Sequence, residues 1–159
     1  MHSNSFKALP LIVAACGGGC ARDATPTAKH APIPDPISVV VIENLIPIGQ
    51  GSTDLIYCLR IDGKDANPEV LQALRTTNLK VVPASQCEFT QDDEVSVHRP
   101  SGNRASFISL ENFSTYGETS AELDGATFRG KLSGSVVRFD LHLNAGKWQV
   151  VGQTPAGVS

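Results

Sequence analysis

Apolar and polar residues alternate most regularly in the last third of the chain. Between residues 135 and 143 every second side chain is apolar, which is the pattern of a strand with one buried face. The apolar positions are Val137, Phe139, Leu141 and Leu143, and the polar positions between them are Arg138, Asp140 and His142. Other short extended segments occupy residues 105–113, 120–128 and 147–151, with glycine-containing turns between them. This part of the chain therefore predicts an antiparallel meander.

Two further strands are predicted before residue 62. The run Ile37-Ser38-Val39-Val40-Val41-Ile42 is rich in β-branched residues and favours a buried strand, with a short helix as the alternative for so short an apolar run. Residues 55–61 form the second predicted strand. It ends at Asp62-Gly63, a pair suited to a tight turn because glycine adopts positive φ at low cost.

One helix is predicted, and its start is the best-defined local feature of the sequence. Asn67 can cap free backbone N–H groups, Pro68 suits the first helical position, and Glu69 meets the positive end of the helix dipole. The apolar stripe that follows consists of Val70, Leu71 and Leu74. Asn78 is the expected stop, and residues 79–82 then favour a brief strand.

These elements predict one small α+β domain at residues 37–152, in which a short helix packs on an antiparallel sheet. Residues 153–159 are expected to form a C-terminal tail. The composition agrees with a single modest core, since 41% of the 159 residues are hydrophobic and 18% are charged.

The first 36 residues differ from the rest in composition. Lys7 precedes an apolar stretch at residues 8–15, which suits the hydrophobic region of a signal peptide and is too short to span a bilayer. Residues 17–36 contain three successive glycines and four prolines but almost no large apolar side chains. We therefore expect a signal peptide at residues 1–15 and a disordered linker at residues 16–36, extended at ~3.1 Å per residue where it is rich in proline.

The junction Val13-Ala14-Ala15-Cys16 resembles the lipobox of bacterial lipoproteins, in which an aliphatic residue stands three places before a cysteine. The resemblance implies that the signal is cut before Cys16, that the thiol carries diacylglycerol, and that the new amino group carries an acyl chain such as palmitate. Two or more acyl chains hold a protein firmly at a bilayer. The resemblance therefore implies a protein anchored in the bacterial cell envelope, with its domain in the periplasm. Cys20 is only the second candidate for lipidation, because the three glycines directly before it lack the aliphatic residue of a lipobox. A secretory signal cut elsewhere and an apolar strand of a cytoplasmic protein are the alternatives.

The other two cysteines, Cys58 and Cys87, lie inside the predicted domain. In an exported protein they would meet an oxidising compartment, and we expect them to form a disulfide between the strand before the helix and the segment after it. Closing this loop would stabilise the fold by roughly 3 to 4 kcal/mol in the chain-entropy model. A metal-binding or nucleophilic role is the competing interpretation, and it lacks a neighbouring histidine or cysteine at ligand spacing.

The sequence contains no common catalytic or cofactor-binding signature. It has no Gly-x-Ser-x-Gly elbow, no HExxH motif and no glycine-rich phosphate loop, so we expect no catalytic residue, cofactor or metal. His98 and His142 are expected to be solvated surface residues, and Trp148 to belong to the core. The acidic segments at residues 62–67 and 91–94 are interpreted as turns, because their spacing misses a calcium loop. The net charge of −3 gives no support for a nucleic-acid partner.

Two features near the end of the chain resemble the last strands of NTF2-like domains, which are cone-shaped α+β folds. They are the ending Gly146-Lys147-Trp148-Gln149-Val150-Val151 and the turn Gly130-Lys131-Leu132-Ser133-Gly134. The order of Tyr57-Cys58-Leu59-Arg60, a short helix, Pro83-Ala84-Ser85-Gln86-Cys87 and a meander is also similar to small lipoproteins of proteobacteria. The NTF2-like resemblance implies a curved sheet with a pocket and assigns no functional residue.

The leading functional hypothesis is a non-enzymatic, membrane-anchored envelope lipoprotein whose domain binds a periplasmic partner. The second hypothesis is an NTF2-like pocket for a small ligand or an enzymatic reaction. The third is a periplasmic inhibitor or immunity protein that presents a rigid loop to a wall-degrading enzyme.

The anchor can be tested on the mature protein. We expect mass spectrometry of the mature N-terminus to find Cys16 as the first residue, with diacylglycerol on its thiol. An unlipidated start at another residue would contradict the assignment of Cys16.

Overall fold

The structure, a computed structural model, describes residues 29–46, 55–90, 95–130 and 133–158. The described helices are α1 (Asp35–Leu45) and α2 (Pro68–Arg75), and a 3-10 turn spans Ala84–Gln86. The described strands are β1 (Lys29–His30), β2 (Ile56–Ile61), β3 (Lys64–Asp65), β4 (Val81–Pro83), β5 (Cys87–Phe89), β6 (Ser96–His98), β7 (Arg104–Tyr116), β8 (Ser120–Gly130), β9 (Ser133–Asn144) and β10 (Lys147–Val158). The predicted signal peptide, Cys16, Cys20 and most of the predicted linker lie outside the described residues.

The strands form one mixed sheet, and the fold is α+β as predicted. Its main order is β10-β9-β8-β7-β2-β3, and strands β7 to β10 make the predicted antiparallel meander. Strand β2 differs, because it runs parallel to both β7 and β4. The chain passes from β2 to β4 through α2, and parallel neighbours require a crossover of this kind.

Helix α1 occupies the β-branched run after Pro36, so the strand predicted there is wrong and the helical alternative is observed. The helix begins at Pro34-Asp35-Pro36, which places a proline and an acidic residue in its first turn. Ile37 and Val41, four residues apart, are both fully buried. Burial of this face outweighs the slightly low helix propensity of β-branched residues.

The ordered domain begins before residue 37, which was its predicted start. Ile33 is buried, and its backbone N–H donates a hydrogen bond to Asp62 Oδ2 at 3.0 Å. Ile33, which lies just before the first turn of α1, is therefore part of the core and not of the linker.

Strand β10 extends beyond the boundary predicted at residue 152. Residues 153–158, expected to be a tail, form a ladder with β9 that reaches the pair Val158↔Ser135. Two bulges interrupt this ladder, one between Val150 and Gly152 and one between Pro155 and Gly157. The sheet therefore ends on this side in a long but irregular strand.

The start of α2 is as predicted. The Asn67 side chain caps the helix by accepting a hydrogen bond from the Val70 backbone N–H at 2.9 Å, and Pro68 follows at the first position. The helix ends at Arg75, and Asn78, with φ of 65°, ends the turn that follows.

The main core lies between the two helices and one face of the sheet. Its largest fully buried side chains include Phe139, Ile37, Ile42, Leu59, Leu74, Ile108, Leu110, Leu123 and Leu141. Trp148 is half-buried and packs against this cluster, in agreement with its predicted place. Neither described helix is long and apolar enough to cross a membrane.

A second, smaller apolar cluster lies on the opposite face of the sheet. It contains the disulfide between Cys58 and Cys87, which confirms the predicted pairing. Ile56, Ala84, Ala105 and Phe107 surround it. The disulfide links a fully buried position in β2 to the start of β5, so both faces of β2 are covered.

Helix α1 approaches the sheet closely at Gly125. An added Cβ there would lie 2.6 Å from Leu45 Cδ1 and 2.9 Å from Phe139 Cε2. Because Phe139 is fully buried, its ring has little room to move.

We expect Gly125→Ala to lower the free energy of unfolding by about 1–3 kcal/mol, because an overpacked core must shift to admit the methyl group. Gly157→Ala is the matched control, since a Cβ at Gly157 meets no atom within 4 Å. Urea unfolding of both variants measures the difference. Equal stability of the two variants would contradict a tight contact at Gly125.

Candidate binding cleft

The two faces of the sheet have different neighbours. Along β7, Ile108 and Leu110 face the main core, whereas Phe107, Ser109 and Glu111 point the other way because successive side chains alternate. The disulfide cluster covers one end of this second face. Beside it lies a half-open cleft of about 530 Å³, which is within the size range of small-ligand sites.

Strand register arranges the cleft lining in three rows that cross the sheet. The first row is Phe107 and Phe128, the second is Ser109, Ala126 and Val136, and the third is Glu111, Asp124 and Arg138. Arg60 of β2 is the register partner of Ser109 and borders the middle row. The cleft therefore changes from apolar to charged along the direction of β7.

Aromatic rings form the apolar end. The rings of Phe89 and Phe107 have their centroids 4.8 Å apart and are tilted by 30°. Phe89 lies two residues after Cys87, so the disulfide fixes the strand that carries this ring. Phe128, the register partner of Phe107, completes the apolar end.

Asp124 at the charged end is saturated with hydrogen bonds. Arg138 donates from Nε to Oδ1 at 2.8 Å and from Nη2 to Oδ2 at 3.2 Å, a bidentate pair. Asn112 Nδ2 donates to the same Oδ2 at 3.0 Å. Asn112 has φ of 58° at a bulge between β7 and β8, and this irregularity turns its amide toward Asp124. The hydrogen bond from Arg138 is the main reason why the pKa of Asp124 lies below its ordinary value.

Arg60 and Glu111 differ from Asp124, because neither has a charged partner in the described part of the chain. Glu111 accepts a hydrogen bond from the Ser109 hydroxyl at 2.7 Å, and both residues line the cleft. Arg60 is exposed and makes no side-chain hydrogen bond to another described residue. Asp65, the register partner of Arg60 on β3, accepts a hydrogen bond from the Ser85 N–H and forms no ion pair with Arg60. Within the described residues, the cleft thus presents one cation and one anion that are exposed to solvent.

A second concavity of about 570 Å³ adjoins the cleft on the other side of Phe89. The two share Arg60, Phe89 and Phe107. Lys64 and Arg99 add positive charge to the second concavity, and Arg99 donates a hydrogen bond to the Ser85 carbonyl. It is the shallower of the two, so the cleft between the strand rows is the better candidate site.

The candidate residues singled out in the sequence lie away from the cleft. His142 is exposed on β9, and half-buried His98 hydrogen-bonds through Nδ1 to Ser101 Oγ at 2.8 Å. In the segment at residues 62–67, Asp62 accepts from Ile33 and Asp65 accepts from the Ser85 N–H, so both carboxylates serve local structure. The acidic segment at residues 91–94 lies outside the described residues. Among the described residues, no three His, Cys, Asp or Glu side chains are grouped as a metal site.

Sequence reasoning missed the cleft itself. One signal was present, because Phe107 and Ile108 are adjacent apolar residues in a segment expected to alternate, which indicates a strand buried on both faces. The position of Arg60 beside Ser109 could not be predicted from the sequence, because it depends on the parallel register between two segments that are distant along the chain.

No protein-family model, curated protein or solved structure matches this chain. The resemblances to bacterial lipoproteins and to NTF2-like domains therefore stay predictions. The site is interpreted from its own geometry.

Acid titration tests the role of Arg138. We expect the Asp124 carboxyl to titrate below its ordinary pKa of 3.8, and Arg138→Gln to raise that pKa. Because the folded-state pKa is depressed, the pair adds stability above the unfolded pKa, and this stability is lost as the pH falls through the folded value. NMR titration of the side-chain carboxyl measures the pKa, and Arg104→Gln on β7 is the control. An unchanged Asp124 pKa in Arg138→Gln would refute the assignment.

Proposed function

We propose that this chain is a lipid-anchored binding protein of the bacterial cell envelope. Its domain faces the periplasm on a linker that follows lipidated Cys16, and it binds its ligand in the cleft on the helix-free face of the sheet. The proposal assigns binding and no chemical reaction.

The observation that carries the proposal is the chemical gradient in the cleft. Three phenylalanine rings line one end, Arg60 borders the middle row, and Glu111 and Asp124 lie at the other end. Binding sites for small molecules are typically concave and mostly apolar, with a few polar groups that orient the ligand.

Two features support a place outside the cytoplasm. Disulfides persist in oxidising compartments, and the bond between Cys58 and Cys87 is enclosed in the second apolar cluster. The lipobox-like residues before Cys16 favour a lipid anchor at this cysteine. The proline-rich segment after it would act as an extended spacer between the anchor and the domain.

The cleft also favours the small-ligand form of the NTF2-like hypothesis over a flat docking surface. The ligand would bind on the open face, because the face under the helices is filled by side chains such as Leu123 and Phe139, which are fully buried. A concavity of about 530 Å³ suits a small molecule better than the broad contact of a protein partner.

Matched tryptophan substitutions test whether the cleft is the binding surface. Val136 lies in the middle row of the cleft, whereas Val151 is 65% exposed on β10 and outside it. We expect the purified full chain and Val151→Trp to enhance the fluorescence of 1-anilinonaphthalene-8-sulfonate. Val136→Trp should abolish the enhancement, because the indole fills the cleft.

Circular dichroism and the thermal unfolding midpoint establish that Val136→Trp is folded. Equal fluorescence from a folded Val136→Trp and from the unsubstituted chain would contradict binding in the cleft. No enhancement by the unsubstituted chain would also contradict it.

A further inference from the structure

Arg60, Glu111 and Asp124 line the cleft, and among the described residues Asp124 alone of the three forms an ion pair. Asp124 receives three hydrogen bonds, two from Arg138 and one from Asn112. Arg60 and Glu111 have no charged partner among the residues that the structure describes. A ligand that pairs with both of these side chains carries one anionic and one cationic group.

The strand register sets the distance between these two charges. Arg60 is level with Ser109, and Glu111 follows two residues later on the same face. Strands lie about 4.8 Å apart and two residues span about 6.6 Å, so the two Cα atoms are about 8 Å apart. Ser109 lies between them and holds the Glu111 carboxylate by its hydroxyl. From positions at this separation, the long side chains of Arg60 and Glu111 can both reach one small group that bears two opposite charges.

The aromatic end lies next to this gap. Phe107 precedes Ser109 by two residues on the same face of β7, and Phe89 stacks against it at 4.8 Å. A side chain that extends from the charged group toward the rings would be covered by the apolar row. The order along β7 is thus ring, hydroxyl and carboxylate.

The geometry points to a free α-amino acid with an aromatic side chain as the ligand. Its carboxylate pairs with Arg60, its ammonium pairs with Glu111, and its ring packs on the phenylalanine rings. An α-amino acid carries both charges and its side chain on one carbon, which matches the compact arrangement of these groups. A carboxylate without an amine would form no ion pair with Glu111, and an amine without a carboxylate would form none with Arg60. This inference rests on the cleft being the binding site of the proposed function.

Three ligands with the same phenyl ring test the contributions of the two charged groups separately. We expect L-phenylalanine to bind the purified full chain in isothermal titration calorimetry. Hydrocinnamate lacks the ammonium group and phenethylamine lacks the carboxylate, and each should bind roughly tenfold more weakly or worse, because a charged hydrogen bond is lost.

Two substitutions assign each charge to its residue. Glu111→Gln should weaken L-phenylalanine binding by roughly tenfold or more while leaving hydrocinnamate binding no weaker. Arg60→Gln should weaken L-phenylalanine while leaving phenethylamine no weaker. The matched controls are Glu118→Gln, in the turn after β7, and Arg104→Gln, at the start of β7, and both should bind as the unsubstituted chain does. All four positions are exposed, so the substitutions disturb no core packing.

The outcomes separate this inference from the proposed function. Hydrocinnamate binding as tight as that of L-phenylalanine would overturn the role of Glu111, and insensitivity to Arg60→Gln would overturn the role of Arg60. If none of the three ligands binds while the fluorescent probe binds and is blocked by Val136→Trp, the amino-acid inference fails and the cleft remains the binding surface. If the probe also fails to bind, both proposals fail.

Discussion

The parallel pairing of β2 with β7 is the constraint on which the rest of the structure depends. Its register, which includes Cys58↔Phe107 and Arg60↔Ser109, decides which side chains face the helices and which face the cleft. Because side chains alternate along a strand, a slip by one residue would exchange the two faces of β2. Arg60 would then enter the main core, and Cys58 would point away from Cys87. The disulfide therefore protects the register as well as the stability of the domain.

Local sequence signals predicted the elements that local chemistry controls. Asn67 and Pro68 define the start of α2 because capping and ring geometry act within one turn. Periodicity of two residues predicted the meander, because its strands have one buried face and neighbours close in sequence. The run that forms α1 was predicted as a strand because β-branched residues favour strands, and only packing against the sheet selects the helix.

The candidate site was much harder to predict from the sequence, since it combines side chains from five strands. Glu111 and Asp124 are both acidic residues in extended segments, and no local motif marks either of them. The fold distinguishes them through the bulge at Asn112 and through Arg138, which lies across from Asp124 on β9. One carboxylate thus becomes part of the framework, while the other faces the cleft with only a serine hydroxyl as its partner.

The irregular outer strand bears on how copies of the domain meet. A regular edge strand of this length would offer a neighbouring copy a row of free N–H and C=O groups for joining the two sheets. Strand β10 breaks that row at two bulges, and Pro155 has no N–H to donate. In the proposed lipid-anchored form, copies of the domain would meet one another at a high effective concentration, and continuous edges would then favour fibrous association. The broken edge of β10 is suited to a crowded surface on which each domain has to remain separate.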